Sequence, residues 1–127
     1  MESKRGQSFV GAVESSAKDR GWFFGHFMDE PLLESDLVEV TWQRVPNKTP
    51  SPEQRHLHRR SVEINVVLSG TLSIKINDVE HTLGKGDFFV IWPESVVSDV
   101  TTSADAEVLV VRAPSVADDK FAVAGLG

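Results

Sequence analysis

Two histidines two residues apart, His56 and His58, are followed by Glu63 and then by Gly70. The chain has four histidines in all, so half of them stand in this short stretch. Two imidazoles and a carboxylate supply two nitrogens and one oxygen. That donor set suits Fe(II), Mn(II), Ni(II) or Zn(II) and leaves coordination positions open. A divalent transition metal held there would polarise a ligand oxygen, acidify water or, as iron, bind O₂. The chain has no cysteine, so thiolate ligation and disulfides are excluded. The same three side chains could also satisfy one another through a buried imidazole–carboxylate hydrogen bond with no ion.

For His56 and His58 to converge, residues 56–58 must be extended. Strand residues two apart share a face, whereas a helix turns by about 100° per residue and would set the two rings roughly 200° apart. A competing helix signal precedes them, with Ser51 at an N-cap, Pro52 at the first helical position and Gln54 two residues on. The β-rich surroundings favour the strand. Glu63 has the opposite parity, so Arg59-Arg60-Ser61 must turn the chain and return Glu63 on the neighbouring strand. Asn65 follows at strand spacing on the face of Glu63, where it would orient a ligand or satisfy backbone groups. His81 reads as surface and His26 as a packing or edge residue. Trp42 and Trp92 read as wall residues, Trp92 within reach of a ligand.

The rest of the chain supplies strands. Val38, Val40 and Trp42 alternate with polar residues and share one side. The segment 46–52 holds three prolines and reads as a loop. From Val62 the chain reads strand after strand: 63–69, a turn at Gly70-Thr71, a hairpin about Asn77-Asp78, a turn at 84–87, then 88–92, 96–101 and 107–112. Short strands at this spacing mean an all-β antiparallel sandwich or barrel. Residues 1–20 read as a loose N-terminal arm, 21–114 as one β-barrel domain and 115–127 as a mobile tail, Phe121 excepted.

At 127 residues the chain fits one domain with one core. Its net charge of −6 argues against a nucleic-acid surface or an anionic-membrane surface. No apolar run approaches the roughly 20 residues of a membrane span, and no secretory signal opens the chain. These features fit a cytoplasmic protein.

The spacing His56-x-His58-x4-Glu63-x6-Gly70 resembles the first motif of the cupin superfamily, apart from its leading glycine, which would fall near Pro50. Gly86-Asp87-x3-Ile91-x-Pro93 is similar to the start of the second motif. The resemblance covers roughly residues 38–112. It implies a double-stranded β-helix (jelly-roll) barrel, a metal inside it held by His56, His58 and Glu63, a small organic ligand beside the metal, and a homodimer. The second motif departs from the family pattern: Glu94 stands where glycine is usual and Val97 where the fourth ligand histidine is usual. Three protein ligands with water, a substitute neighbour such as Asp99, or an empty polar pocket all remain open. Asn65, Trp92 and Val97 would line the ligand pocket. Metal-dependent oxygenase or isomerase chemistry is one implied function. A non-catalytic binding or sensor module is the other. The chain has no tyrosine, which disfavours the epimerase branch that uses a His and Tyr pair.

Overall fold

The computed structural model describes residues 4–44 and 55–124. Within them the alternating segments form β1 (Trp22–Phe24), β2 (Glu39–Arg44), β3 (His56–His58), β4 (Val62–Ser69), β5 (Thr71–Ile76), β6 (Val79–Gly84), β7 (Phe88–Ile91), β8 (Val97–Thr102), β9 (Glu107–Ala113) and β10 (Lys120–Ala122). One sheet runs β1-β2-β9-β4-β7 and the other β10-β3-β8-β5-β6. Apart from the β5–β6 hairpin, every strand from β3 to β10 lies in the other sheet from its predecessor. This winding is a double-stranded β-helix with two facing antiparallel sheets. The hairpin closes on two residues, Asn77 (φ 49°) and Asp78 (φ 66°). Paired positive φ values match the twist of the flanking strands.

Alternation along each strand sorts side chains to the inside or the outside. Val67, Leu72, Ile74, Ile91, Val97, Val108 and Val110 form the apolar core. On β4 the inward series runs Glu63, Asn65, Val67, and on β9 it runs Val108, Val110, Arg112. Both series are therefore polar at one end and apolar at the other. The strands are antiparallel, with Glu63 opposite Arg112 and Val67 facing Val108 along the shared register. The two polar ends thus coincide, and the interior has a polar region at one end of its core.

Four expectations change. On β2 the inward residues are Glu39 and Thr41, at 7% and 0% exposure, while Trp42 is exposed. Apolar residues do not mark the inside here because β2 borders the polar end of the interior. Residues 115–127 are not merely a tail: β10 pairs with β3 and closes the second sheet. Nor is the N-terminal arm wholly loose. It contains one helical turn, α1 (Val13–Ser16), and a 3-10 turn at Asp19–Gly21 that docks on β2. Finally, Glu63 returns in the facing sheet rather than on a neighbouring strand. Residues 56–58 are extended, so the helix alternative fails for the histidines, while the proline-rich loop and Ser51–Gln54 lie outside the described residues. Among the described residues no helix is long and apolar enough to cross a membrane.

Candidate functional site

Arg112 is the last inward residue of β9, the central strand of its sheet. Its direct partners are Glu39 on β2 and Glu63 on β4. Cross-strand neighbours lie close enough for their side chains to interact. Arg112 Nε donates to Glu63 Oε2 at 2.7 Å, and Nη1 lies 3.4 Å from Glu39 Oε2. The guanidinium also lies over the Trp22 ring, 5.0 Å from its centroid. Asn65 Nδ2 donates to the other Glu63 oxygen at 3.1 Å, as strand spacing predicts. Burial alone would raise the Glu63 pKa. The Arg112 charge and hydrogen bond, with Asn65 and His58, outweigh it and hold the carboxyl below its ordinary 4.5.

The histidines approach from the facing sheet. Their rings stand perpendicular, with centroids 5.4 Å apart. The corner after His58 is fixed by Asp119, which accepts backbone N–H bonds from Arg59 (3.2 Å), Arg60 (3.0 Å) and Ser61 (3.0 Å). These bonds overcome the effect of burial and keep the Asp119 carboxyl below its usual range. His58 is buried. Its Nε2 lies 3.6 Å from Glu63 Oε2 and its Nδ1 lies 3.8 Å from Asp119 Oδ2. Both separations exceed hydrogen-bond length, and among the described residues neither ring nitrogen has a hydrogen-bond partner. Burial, then the Arg112 charge, pushes the His58 pKa below its ordinary 6.5, so the ring is neutral at pH 7.

Two cavities meet at this wall. The first, about 490 Å³, is lined by His56, Glu63, Asn65, Arg112 and Glu39, by Trp22, Phe27 and Phe89, and by core residues that include Val97. The second, about 420 Å³, is lined by His26, Glu39, His58, Ser61, Arg112 and residues 116–120. His56 and His58 therefore border different cavities, with Arg112, Glu39 and Lys120 lining both.

The structure brings His56, His58, Glu63, Asn65 and Val97 to one region. Val97 is the Cα partner of His56 and is 4% exposed. It gives the cavity an apolar wall where the family's fourth ligand, a third imidazole, would stand. Trp92 does not join them. Phe89 and Ile91 face inward on β7, so period-two alternation sends Trp92 outward, where it is 67% exposed. Asp99 also faces away, paired with Lys75 at 3.2 Å.

Among the described residues no three histidine, aspartate or glutamate side chains are placed to hold a metal ion. The physical reason is visible in the geometry. The Glu63 oxygen nearest His58 is the one bonded to Arg112, so a fixed cation already neutralises the carboxylate that a divalent ion would need. As arranged, the donor set does not fit a resident metal.

Sequence reasoning missed Arg112, Glu39 and Asp119. Arg112 was legible as the next inward position after Val108 and Val110. Glu39 was hidden by the rule that apolar residues face in. Asp119 carried no local signal, because its role depends on β10 pairing with β3.

A family model described as the cupin domain matches residues 41–112. No curated protein matches the sequence significantly. Among solved structures, Pac13, described as a unique nucleoside dehydratase, is similar at 18% identity and a TM-score of 0.69, with 95% of each chain covered. Variants of the Streptomyces protein have been solved with uridine, at 18% identity and a TM-score of 0.69 for one that covers 95% of this chain and 94% of that one. Oxalate decarboxylase from Bacillus subtilis is similar at 18% identity and a TM-score of 0.59, over 70% of this chain and 24% of that one. The strand winding matches these barrels, and the matched segment contains the histidine pair, Glu63 and the turn glycines, so the chain belongs to the cupin family.

Proposed function

We propose that the first cavity binds a small organic ligand and that its polar wall moves a proton on that ligand without a resident metal. One observation carries this reading: a cavity of about 490 Å³ with both apolar and polar lining gathers Glu63, Asn65 and Arg112 from one sheet and His56 from the facing one. Cavities of this size with a few convergent polar groups are the usual form of small-molecule sites. Trp22, Phe27 and Phe89 offer flat apolar surface, and a nucleoside, the ligand class of the Streptomyces neighbour, is of suitable size and polarity.

The chemistry that fits is isomerisation or elimination through proton transfer. An imidazole titrates near neutral pH and can take a proton at one step and return it at another. His56 is the imidazole that borders this cavity. Arg112 uses two of its five N–H groups on Glu63 and Glu39, which leaves donors for a ligand carbonyl or hydroxyl oxygen. Glu63, held ionised, keeps that guanidinium in place.

The test is solvent exchange on a bound ligand. Uridine, small α-hydroxy acids and ketoses are incubated with the protein in D₂O after chelator treatment and followed by NMR. Enzyme-dependent deuterium entry or loss of water from one of them, abolished in His56→Gln, supports the reading. Binding without exchange leaves a non-catalytic module.

A metal centre on His56, His58 and Glu63 is the second reading. The observation that favours it is the pair of buried, unpartnered nitrogens of His58 on a ring held neutral, since ligation needs neutral imidazole. It requires Arg112 to leave Glu63. We also infer self-association through β7, an edge strand whose outward residues Phe88 and Val90, with Trp92, form an exposed apolar strip.

A further inference from the structure

The charges that line the first cavity divide by exposure. Its exposed lining residues include Lys18, Arg20 and Lys120 with one carboxylate, Asp19. At its buried end the guanidinium of Arg112 stands between two carboxylates, Glu39 and Glu63. With Asp29, which pairs with Lys18, the exposed rim carries three cations against two carboxylates and the floor one cation between two carboxylates, in a chain whose overall charge is −6. A cleft lined by one sign of charge between low-dielectric walls concentrates ions of the other sign.

The cationic mouth is built rather than incidental. Arg20 and Gly21 take successive positive φ values of 56° and 79°. A side chain disfavours this conformation, so the surrounding structure must impose it at Arg20. The Thr41 hydroxyl donates to the Arg20 carbonyl at 2.8 Å, and the Lys18 N–H donates to the Trp22 carbonyl at 2.8 Å. Gly21 packs so closely on β2 that a β-carbon there would lie 2.1 Å from the Trp42 carbonyl oxygen. These contacts hold residues 18–20 against the sheet beside Trp22. The present partners of Lys18 and Arg20, Asp29 and Asp19 respectively, are more than four-fifths exposed. Such ion pairs are weak and screened, and a ligand anion can displace them.

We propose that the ligand is a small organic anion. Its carboxylate or phosphoryl group would lie among Lys18, Arg20 and Lys120, and its neutral hydrogen-bond-donating end would point toward Glu63. This inference rests on the reading that the first cavity is the ligand site.

The test uses Trp22 as a reporter inside the cavity. The chain has three tryptophans, and Trp42→Phe with Trp92→Phe leaves Trp22 alone. Iodide, caesium and acrylamide then probe the cavity as anion, cation and neutral quencher. The expected result is an iodide quenching constant several-fold above that of caesium, with the two converging in high salt. Adding Arg20→Gly and Lys120→Gln should lower the iodide constant at least twofold and leave acrylamide unchanged. Glycine adopts the positive φ without strain, so Arg20→Gly removes charge and keeps the backbone. Protection of Trp22 by inorganic phosphate assigns a phosphoryl group, and protection by acetate assigns a carboxylate. Protection by neither, or equal quenching by iodide and caesium, overturns the proposal. Calorimetry on the unaltered chain gives an independent answer. Uridine 5′-monophosphate binding about tenfold tighter than uridine supports the proposal. Equal affinities overturn it and leave the cavity reading standing.

Discussion

Replacing Arg112 with methionine tests the arrangement that holds the site together. Methionine keeps most of the aliphatic volume and removes the charge from between Glu39 and Glu63. Both carboxylates are almost buried, at 9% and 12% exposure, and Arg112 is 23% exposed. Removing one member of a buried pair costs about 3–5 kcal/mol, because the partner is left charged and desolvated. The partial exposure of Arg112 places the expected loss near the lower end, about 3 kcal/mol, or roughly a hundredfold in the folding equilibrium. Urea unfolding with an unchanged slope is the assay, since a changed slope would mean an altered unfolded or native state. Glu63→Gln and the double variant complete the cycle. The double variant should be more stable than the sum of the single losses implies, with a coupling of about 2 kcal/mol. A loss under 1 kcal/mol for Arg112→Met, or additive losses in the cycle, would refute the claim that Arg112 and Glu63 act as one unit.

Stability should fall on the acid side in two stages. Burial and Arg112 hold His58 below 6.5, so the unfolded chain takes up that proton first and stability declines as pH drops from 6.5 toward the lowered folded value. Glu63 is held below 4.5, so its contribution is complete above 4.5 and is lost as pH falls through its folded value. Urea midpoints across this range should show both stages, and His58→Gln should remove the first and slightly weaken the second. Glu94 adopts φ 74° and its N–H donates to the His58 carbonyl at 2.7 Å. Glu94→Gly should raise stability by roughly 0.5–1 kcal/mol, read as a higher melting temperature, because the relieved strain exceeds the added chain entropy. Sedimentation should show a wild-type dimer that Phe88→Glu with Trp92→Glu converts to monomer; a wild-type monomer refutes the β7 interface.

The fold was largely legible because two signals agreed: period-two alternation from Val62 onward and turn residues at nearly every reversal. The Asn77-Asp78 hairpin shows this, since two residues that tolerate positive φ sit between strands of matching length. The candidate site was only half legible. His56, His58 and Glu63 announce themselves by spacing, and Asn65 follows by parity. Their chemistry depends on Arg112, which lies 49 residues from Glu63 and meets it only through the β4–β9 register. Glu39 was misplaced because an inward carboxylate violates the apolar-inside rule wherever the interior is polar. Trp92 was drawn inside by its nearness to Pro93, although one step of strand parity puts it outside. The Glu94 position illustrates the same limit. Its departure from the family pattern reads as a loss, yet the backbone keeps the left-handed turn and uses the Glu94 N–H to fix His58.

The most direct measurement combines metal analysis with ligand binding on one preparation. Protein purified without added metal is assayed for Fe, Mn, Ni and Zn, treated with chelator, and titrated with uridine and uridine 5′-monophosphate by calorimetry. The account predicts far less than one metal ion per chain, and binding that survives chelation and weakens in Arg112→Met. One tightly held metal ion per chain, with binding lost on chelation and in His56→Ala with His58→Ala, would contradict it.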